Sequence, residues 1–580
     1  MEPMTTADLG GAKRARRLLC YYGDDFTGST DVLEALYRGG FRTVLFLEAP
    51  TPELLEEGRF RDVECFGVAG VGRSLTPEEM ERELPPVFRT LRSANAAVVH
   101  YKVCSTFDSS PGVGSIGKAA ELGRETFGGG RFVPVVAGVP YLGRYTVFGN
   151  HFAAAEGAVH RLDRHPTMSR HPVTPMAEAD LRRHLAQQTE LRIGLFDVLE
   201  QSGPADAVRA RLESMLSREK PDLVVFDVLD DERLGKVGRF IWEEASRARD
   251  GDSLFAIGSS GIEYALAEAM AEAAGRPARG GAAADSGGAE VAGAGDAGAA
   301  SAGDAGAADA GGAEAARSGG ARAAAGAGGA EVAGSGEAAA ASSGGARAVG
   351  AGGAAGTSGA RAVGAGGAEV AGAGGAAAAR AADATPTDRL LVVSGSCSPA
   401  TERQIARALE AGYAGIRVPA AELAHPDRRE AAVRRLRAEA AAALDTGRSV
   451  LLYSALGPGD PAIAEARAGL AALGLRAEDS SRVLGAALGA LAKELIAAAG
   501  LTRLLIAGGD TSGYVARELG VYALECKAAL APGAPLCAAY SADPAFDGLE
   551  LVLKGGQIGG PDFFEEVRLG KAAERAAQDG

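Results

Sequence analysis

Residues Leu504–Leu519 read LLIAGGDTSGYVAREL. Four apolar residues run into two glycines, an acid, two hydroxyls and a third glycine, and an amphipathic segment follows. A short, wholly apolar run suits a strand buried on both faces. Gly508 and Gly509 let the backbone approach a ligand closely, and Thr511 and Ser512 add hydroxyl donors. A helix starting at about Gly513 would turn its N-terminus towards an anion. The stretch therefore predicts a strand, a phosphate-sized loop and a helix, the repeating unit of a parallel α/β sheet.

The same unit recurs on both sides. Nearby apolar runs are RLLVVSGS, GIRVPAA, SVLLYSA and LELVLKGG, separated by Ala-rich helical segments. Further towards the N-terminus, RRLLCYYGDD reads as strand then loop, and GSTDVLEALYRGG as a helix closed by glycine. RTVLFLE, AAVVHYKV, RFVPVVAG, LRIGLFDV, DLVVFDV and LFAIGSS follow as strands. The fold class expected is α/β, with two domains built on largely parallel sheets.

Between the two, from about Arg276 to Asp388, the chain is almost only Ala, Gly, Ser, Asp, Glu and Arg. Phrases such as GGAEVAGAG and GARAVGAGG recur at irregular spacing, so they do not describe a solenoid. Ala and Val cannot bury enough apolar surface to offset chain entropy, and a disordered tether is expected, roughly 60 Å end to end. The expected organisation is a first domain over 15–275, a tether over 276–387 and a second domain over 388–575.

The chain has 580 residues and a formal charge of −15, which argues against a general nucleic-acid or membrane-surface binder. No apolar run reaches the roughly 18 residues of a membrane span. The six cysteines are scattered, with no CxxC pair, as suits reduced structural thiols in a cytoplasmic protein.

In open α/β sheets, ligands bind beyond the carboxyl ends of strands. After the first strand stands DDFTGSTD, Asp24–Asp31, with two adjacent acids and the hydroxyls of Thr27 and Ser29 where one N-cap would suffice. After AAVVHY stands KVCSTFDSSPGVGSIG, with Lys102, Ser105 and Asp108 ahead of a Gly-rich helix entry. A cation among hydroxyl and amide donors suits a carboxylate. Arg144, in VPYLGRYTVFGN, could bind one bidentately. The Pro-rich loop HRLDRHPTMSRHPVTPM, His160–Met176, carries His165 and His171. It has no third spaced metal ligand, and reads as a loop folding over the first domain's pocket. In the second half, VVSGSCSPATERQI offers Ser394, Ser396 and Ser398, and LKGGQIGGPDFF offers Lys554 and four glycines. None of these loops is a Walker A motif, yet three Gly- or Ser-rich strand ends in one domain suit a nucleotide phosphate site.

Taken in order, DDFTGSTD, YKVCSTFDSS, GRYTVFGN, HPVTPM, SGSCSPATERQ, GGDTSG and LKGGQIGGPDFF resemble the four-carbon acid sugar kinase family. The resemblance spans both folded parts and none of the tether. It implies an ATP- and Mg²⁺-dependent kinase with a sugar-acid-binding first domain and a nucleotide-binding second domain. It places Ser396, Ser398, Gly508, Gly509, Asp510, Thr511 and Gly556 around ATP, and Asp24, Asp25, Lys102, Ser105, Asp108 and Arg144 in the substrate pocket. Asp25 is expected to orient or deprotonate the attacking hydroxyl, with Asp24 or Asp108 as runner-up. The reading YYGDDFTGSTD and the longer His-containing loop resemble the 3-oxo-isoapionate kinase branch more than the 3-oxo-tetronate or threonate/erythronate kinases. The partner implied is a small sugar acid, and a homodimer is compatible with the chain.

Two other classes fit the residues less well. An NAD-dependent sugar-acid dehydrogenase would want GxGxxG after its first strand, where this chain has two acids. A non-catalytic sugar-acid sensor would not need the intact Asp24, Asp25 and GGDTSG.

Overall fold

The apolar runs of both halves lie side by side in one sheet. The computed structural model describes residues 16–128, 130–155, 157–171, 174–249, 251–276, 384–475 and 479–571. The expected tether falls outside the described residues except at its ends.

The strands are β1 (Arg17–Gly23), β2 (Thr43–Phe46), β3 (Cys65–Ala69), β4 (Ala96–Lys102), β5 (Val133–Val136), β6 (Arg144–Val147), β7 (Asn150–Ala155), β8 (Ala158–Arg161) and β9 (Ile193–Phe196). They continue as β10 (Leu223–Phe226), β11 (Leu254–Gly258), β12 (Leu391–Ser394), β13 (Ala414–Arg417), β14 (Val450–Tyr453), β15 (Arg503–Ala507), β16 (Val521–Ala531), β17 (Ala534–Ser541) and β18 (Glu550–Lys554). Fifteen of them form one sheet in the order β13-β14-β12-β15-β18-β17-β16-β2-β3-β1-β4-β11-β5-β10-β9. Each half is parallel, and the antiparallel hairpin β16–β17 joins them, with β16 pairing β2 through Ala523↔Phe46 and Leu524↔Leu45.

The parallel halves follow from β-branched and leucine-rich runs with both faces covered by helices. On one face a single apolar core runs through both halves, from Leu19 and Tyr21 to Leu504 and Ile506. At the seam, Phe60 is wholly buried, with ring centroids 5.2 Å from Phe46 and 5.0 Å from Tyr540. Truncating such a ring to alanine costs about 3–5 kcal/mol. Ion pairs Arg42–Glu525 (3.0 Å) and Arg59–Asp547 (2.9 Å) flank it. These are exposed or half-exposed, so they orient the seam more than they stabilise it. The second half closes on its own C-terminus, where Ala384 N–H donates to Gly570 O at 2.8 Å.

Three features went beyond the sequence reading. The hairpin β16–β17 turns at Pro532-Gly533, with Gly533 at φ +78°. β6, β7 and β8 form a separate antiparallel sheet. β3, CFGVA, is short and glycine-bearing because a side chain on Gly67 would lie 2.1 Å from the ring of Tyr21.

Chain order reverses twice. β2 and β3 lie to one side of β1 while β4 lies to the other, and β13 and β14 lie to one side of β12 while β15 lies to the other. Each reversal opens a crevice at the strand carboxyl ends. One crevice carries DDFTGSTD and the Lys102 loop, and the other carries SGSCS and GGDTSG.

Candidate active site

In the first crevice, Gly23 is in register with Ala69 and Lys102, and Lys102 with Gly258. Four strand ends therefore release their loops at one level. The helix Phe26–Arg38 starts immediately after β1, because Asp25 caps it by accepting from Gly28 N–H at 2.8 Å. The other carboxylate oxygen of Asp25 accepts from Arg73 Nη2 at 2.5 Å and Thr27 Oγ1 at 3.3 Å. Arg73 stands on the short turn after β3, and its Nη1 lies 3.9 Å from Asp108. Asp108 is steadied by Thr106 Oγ1 at 2.6 Å. Between them Phe107 is buried with φ +55°, a left-handed backbone that is costly for an aromatic residue and is held only by its surroundings.

Lys102 is 1% exposed, and its Nζ lies 3.9 Å from Asp31. Burial alone would lower its pKa, but Asp31 and Asp25 overturn that and hold it above the usual lysine value. Burial would likewise raise Asp25, but Arg73 and Lys102, with the cap bond, hold it below the usual carboxylate range. Asp24 is the opposite case. Burial, then the charge of Asp25, push it well up, and its Oδ1 has no hydrogen-bond partner among the described residues. The adjacent acids are thus split, one ionised and one inclined to hold its proton. Such splitting marks candidate acid–base sites.

Arg144 comes from the small sheet. Its Nη1 is tied to the carbonyls of Leu142 (2.9 Å) and Gly143 (3.3 Å), its Nε is buried without a partner among the described residues, and burial lowers its pKa. His151 on β7 joins that sheet to the Lys102 loop by donating from Nε2 to Ser105 O at 2.8 Å. Burial drops the His151 pKa to about 4, so the ring is neutral and its Nδ1 accepts from Thr146 Oγ1 at 2.9 Å. The His-containing loop packs on the same sheet through Met168 and Met176, beside Ala153. In it, His165 Nδ1 accepts from the N–H groups of Thr167 and Met168, and His171 Nδ1 from that of Thr174.

In the second crevice, Ser394 is in register with Ala507, and Ala507 with Lys554. Ser398 caps the helix Pro399–Glu410, accepting from Thr401 N–H at 3.1 Å, and its hydroxyl donates to Gly556 O. Ser396 Oγ lies 3.0 Å from Thr401 Oγ1. The glycines are required by crowding. A side chain on Gly395 would lie 2.2 Å from Thr511 Oγ1, and one on Gly556 would lie 2.9 Å from Ser396 Oγ. The helix expected to begin near Gly513 begins at Gly509 instead. Gly508, at φ +127°, makes the turn, and Ser512 Oγ then bonds Gly508 O at 2.7 Å. Residues 509–512 are therefore the first helical turn, which aims its free N–H groups into the crevice. Asp510 lies in this turn, and its side chain is outside the described residues.

The two crevices meet. A side chain on Gly509 would touch Thr27 Oγ1 at 3.7 Å, and one on Gly555 would reach the same atom at 4.0 Å. Gly513 faces the ring of Phe26 at 3.2 Å in the same sense. The first turn that carries Asp25 thus abuts the loop GGDTSG.

Of the residues expected in the first pocket, the structure gathers Asp24, Asp25, Lys102 and Asp108. Ser105 contributes its carbonyl to His151 at 2.8 Å, and Arg144 is held on the small sheet by the carbonyls of Leu142 and Gly143. Ser396, Ser398, Gly508, Gly509, Thr511 and Gly556 surround the second crevice. Sequence reasoning missed Arg73 because it missed β3, whose end delivers it. It also left Asp31 out, although Asp31 stands one helical turn beyond Thr27, on the side of Lys102.

Residues 19–266 match the family described as sugar-binding N-terminal domain, and residues 391–564 match that described as nucleotide-binding C-terminal domain. The chain is 40% identical over 556 residues to the 3-oxo-isoapionate kinase of Paraburkholderia graminis, covering 96% of this chain and 95% of that one. It is 27% identical over 561 residues to the 3-oxo-tetronate kinase of Cupriavidus necator, covering 96% and 98%. In fold it is similar to a crystal structure from Salmonella typhimurium LT2, with a TM-score of 0.63 at 21% identity, covering 95% and 98%. Two crevices, one lined by acids and cations and one by glycines and hydroxyls, meeting at Thr27 in a chain so matched, have one reading: the chain belongs to the four-carbon acid sugar kinase family and is a kinase.

Proposed function

We propose that this kinase moves the terminal phosphoryl group of ATP to a terminal hydroxyl of a sugar acid, with 3-oxo-isoapionate as the first candidate. The observation that carries the reading is the meeting of the two crevices, because phosphoryl transfer needs donor and acceptor in line at one point. The 40% identity to a 3-oxo-isoapionate kinase favours the branched acid, and the 27% identity to 3-oxo-tetronate kinases keeps the tetronates second.

In this reading Lys102, Arg73 and Arg144 receive the substrate carboxylate, with Ser105 and Asp108 at the rim. Arg144 suits that role because it has no carboxylate partner among the described residues. Asp25 stays ionised, so it accepts a hydrogen bond from the attacking hydroxyl and orients it. Asp24 is the runner-up for the proton, and a proton held there at neutral pH limits it as a base. Ser396, Ser398, Gly508, Gly509, Asp510, Thr511 and Gly556 cradle the ATP phosphates. The buried Oδ1 of Asp24, unpartnered among the described residues, is a hard oxygen of the kind Mg²⁺ takes, so Asp24 would hold the ion once it gives up its proton. The metal would neutralise charge developing on the phosphate. Four buried free thiols, Cys20, Cys65, Cys526 and Cys537, suit work in the reducing cytoplasm.

The test is ADP release from ATP against a panel of 3-oxo-isoapionate, both 3-oxo-tetronates, the threonates and the erythronates. One strong substrate supports the reading, and ADP release no faster than without sugar acid across the whole panel removes it. Asp25→Asn should keep nucleotide binding and lower kcat by at least about a hundredfold. Turnover at the native rate would take Asp25 out of the mechanism.

A further inference from the structure

Lys554 ends β18 wholly buried, and among the described residues its Nζ has a single bond, to Thr401 Oγ1 at 3.1 Å. It stands in register with Ala507, which is itself in register with Ser394. Paired residues on parallel neighbours share a face of the sheet. Ser394, Ala507 and Lys554 therefore form a row beneath the first turn of the helix Pro399–Glu410. In that row Ala507 is small, and the buried Ser394 Oγ has no partner among the described residues. Thr401 is the hub above it, donating to Gly556 O at 3.0 Å and lying 3.0 Å from Ser396 Oγ.

This is an unusual place for an ammonium. The aligned peptide dipoles of a twelve-residue helix already make its N-terminus positive. Gly508 N–H bonds Lys554 O at 2.9 Å, which sets a second helix N-terminus beside it. No described carboxylate balances these charges. Glu402, on the same helix, sends its carboxylate to Gly457, where an added side chain would meet it at 2.2 Å. Cys397, in the loop before that helix, sits in the fields of Asp460 and Arg467 instead. A buried cation at two positive helix ends is costly unless an anion completes the set.

We propose that Lys554 supplies the positive charge with which a phosphate group of the bound nucleotide pairs, in the cradle formed by Ser396, Thr401 and Gly556. This rests on the reading of the second crevice as the nucleotide site. Burial alone brings the Lys554 pKa down to about 7, so at pH 8 the free protein holds this amine mostly neutral. An arriving phosphate restores the ammonium, and nucleotide binding above neutrality takes up a proton.

The experiment is calorimetric titration of the full chain with ADP at pH 8, in two buffers of different ionisation enthalpy. The wild type should take up about one proton per ADP. Lys554→Met should bind ADP at least about tenfold more weakly and take up none. Wild-type binding without proton uptake overturns the proposal, and needs no folded variant to do so. Uptake that persists unchanged in Lys554→Met overturns it as well. Failure of the wild type to bind ADP at all removes the nucleotide reading itself, and the proposal with it.

Discussion

Gly28→Ala is the sharpest test of how the first crevice is built. An added methyl at Gly28 would lie 2.2 Å from Asp25 Oδ1 and 2.9 Å from Lys102 Nζ. Carbon–oxygen contacts do not close below about 3 Å, so the carboxylate must retreat by about 1 Å, away from its cap and from the line of attack. A displacement of that size at a reacting group costs about a hundredfold in rate, or roughly 2.7 kcal/mol of transition-state stabilisation. Stability should barely move. The lost cap bond costs about 1 kcal/mol, and alanine in place of glycine within the helix returns about as much. The assay is kcat from ADP release at saturating sugar acid, with the KM for ATP and a thermal unfolding curve on the same preparation. The expected outcome is kcat down about a hundredfold with an unchanged KM for ATP and a Tm within a few degrees. A variant with kcat within threefold of wild type would refute the claim that Asp25 must sit where its cap holds it.

Arg73→Met should raise the KM for the sugar acid about tenfold and leave that for ATP alone. It should also move the acid limb of kcat/KM to higher pH, because Arg73 is the leading charge that holds Asp25 below its ordinary pKa. An unmoved acid limb would mean that Asp25 does not govern it. Glu34 links the helix Phe26–Arg38 to the β16–β17 hairpin, pairing with Arg38 at 2.6 Å and accepting from Gly533 N–H. Burial raises its pKa from the ordinary 4.5 to about 7. A carboxyl raised in the folded state adds stability below its unfolded pKa and loses it as pH rises through the folded one. The wild-type stability relative to Glu34→Gln should therefore fall by about 3 kcal/mol between pH 4.5 and 7 and be flat above, read from denaturant unfolding at several pH values. A pH-independent difference would show that Glu34 is not held protonated there.

Much of this molecule is legible in its residues. Apolar runs such as LLIA and LLVV can be little but strands covered on both faces, because their composition leaves no polar face for water. The loops after them declare themselves by glycines, hydroxyls and paired acids in positions where a plain turn would need fewer. Asp24, Asp25, Lys102, Asp108, Ser396, Ser398 and GGDTSG could therefore be named from local chemistry. Arg73 could not, because it lies in VGRS after a short strand whose small residues exist to receive Tyr21 and Tyr22. Nothing in its own neighbourhood refers to them.

The rest belongs to the tertiary structure. That β2 pairs with β16, so that two parallel halves become one sheet, depends on contacts between residues almost five hundred positions apart, such as Arg42 and Glu525. Local pattern carries no trace of such pairings. The opposite protonation of Asp24 and Asp25 is likewise invisible in two identical letters, since it arises from which side chain meets Arg73 and which is shut away from water. The sequence by itself determined which elements form and which loops carry chemistry, because backbone geometry and side-chain polarity act over a few residues. Only the fold decided that Thr27 faces Gly509 and that Lys554 lies beneath Thr401, because proximity across a sheet is set by packing and register.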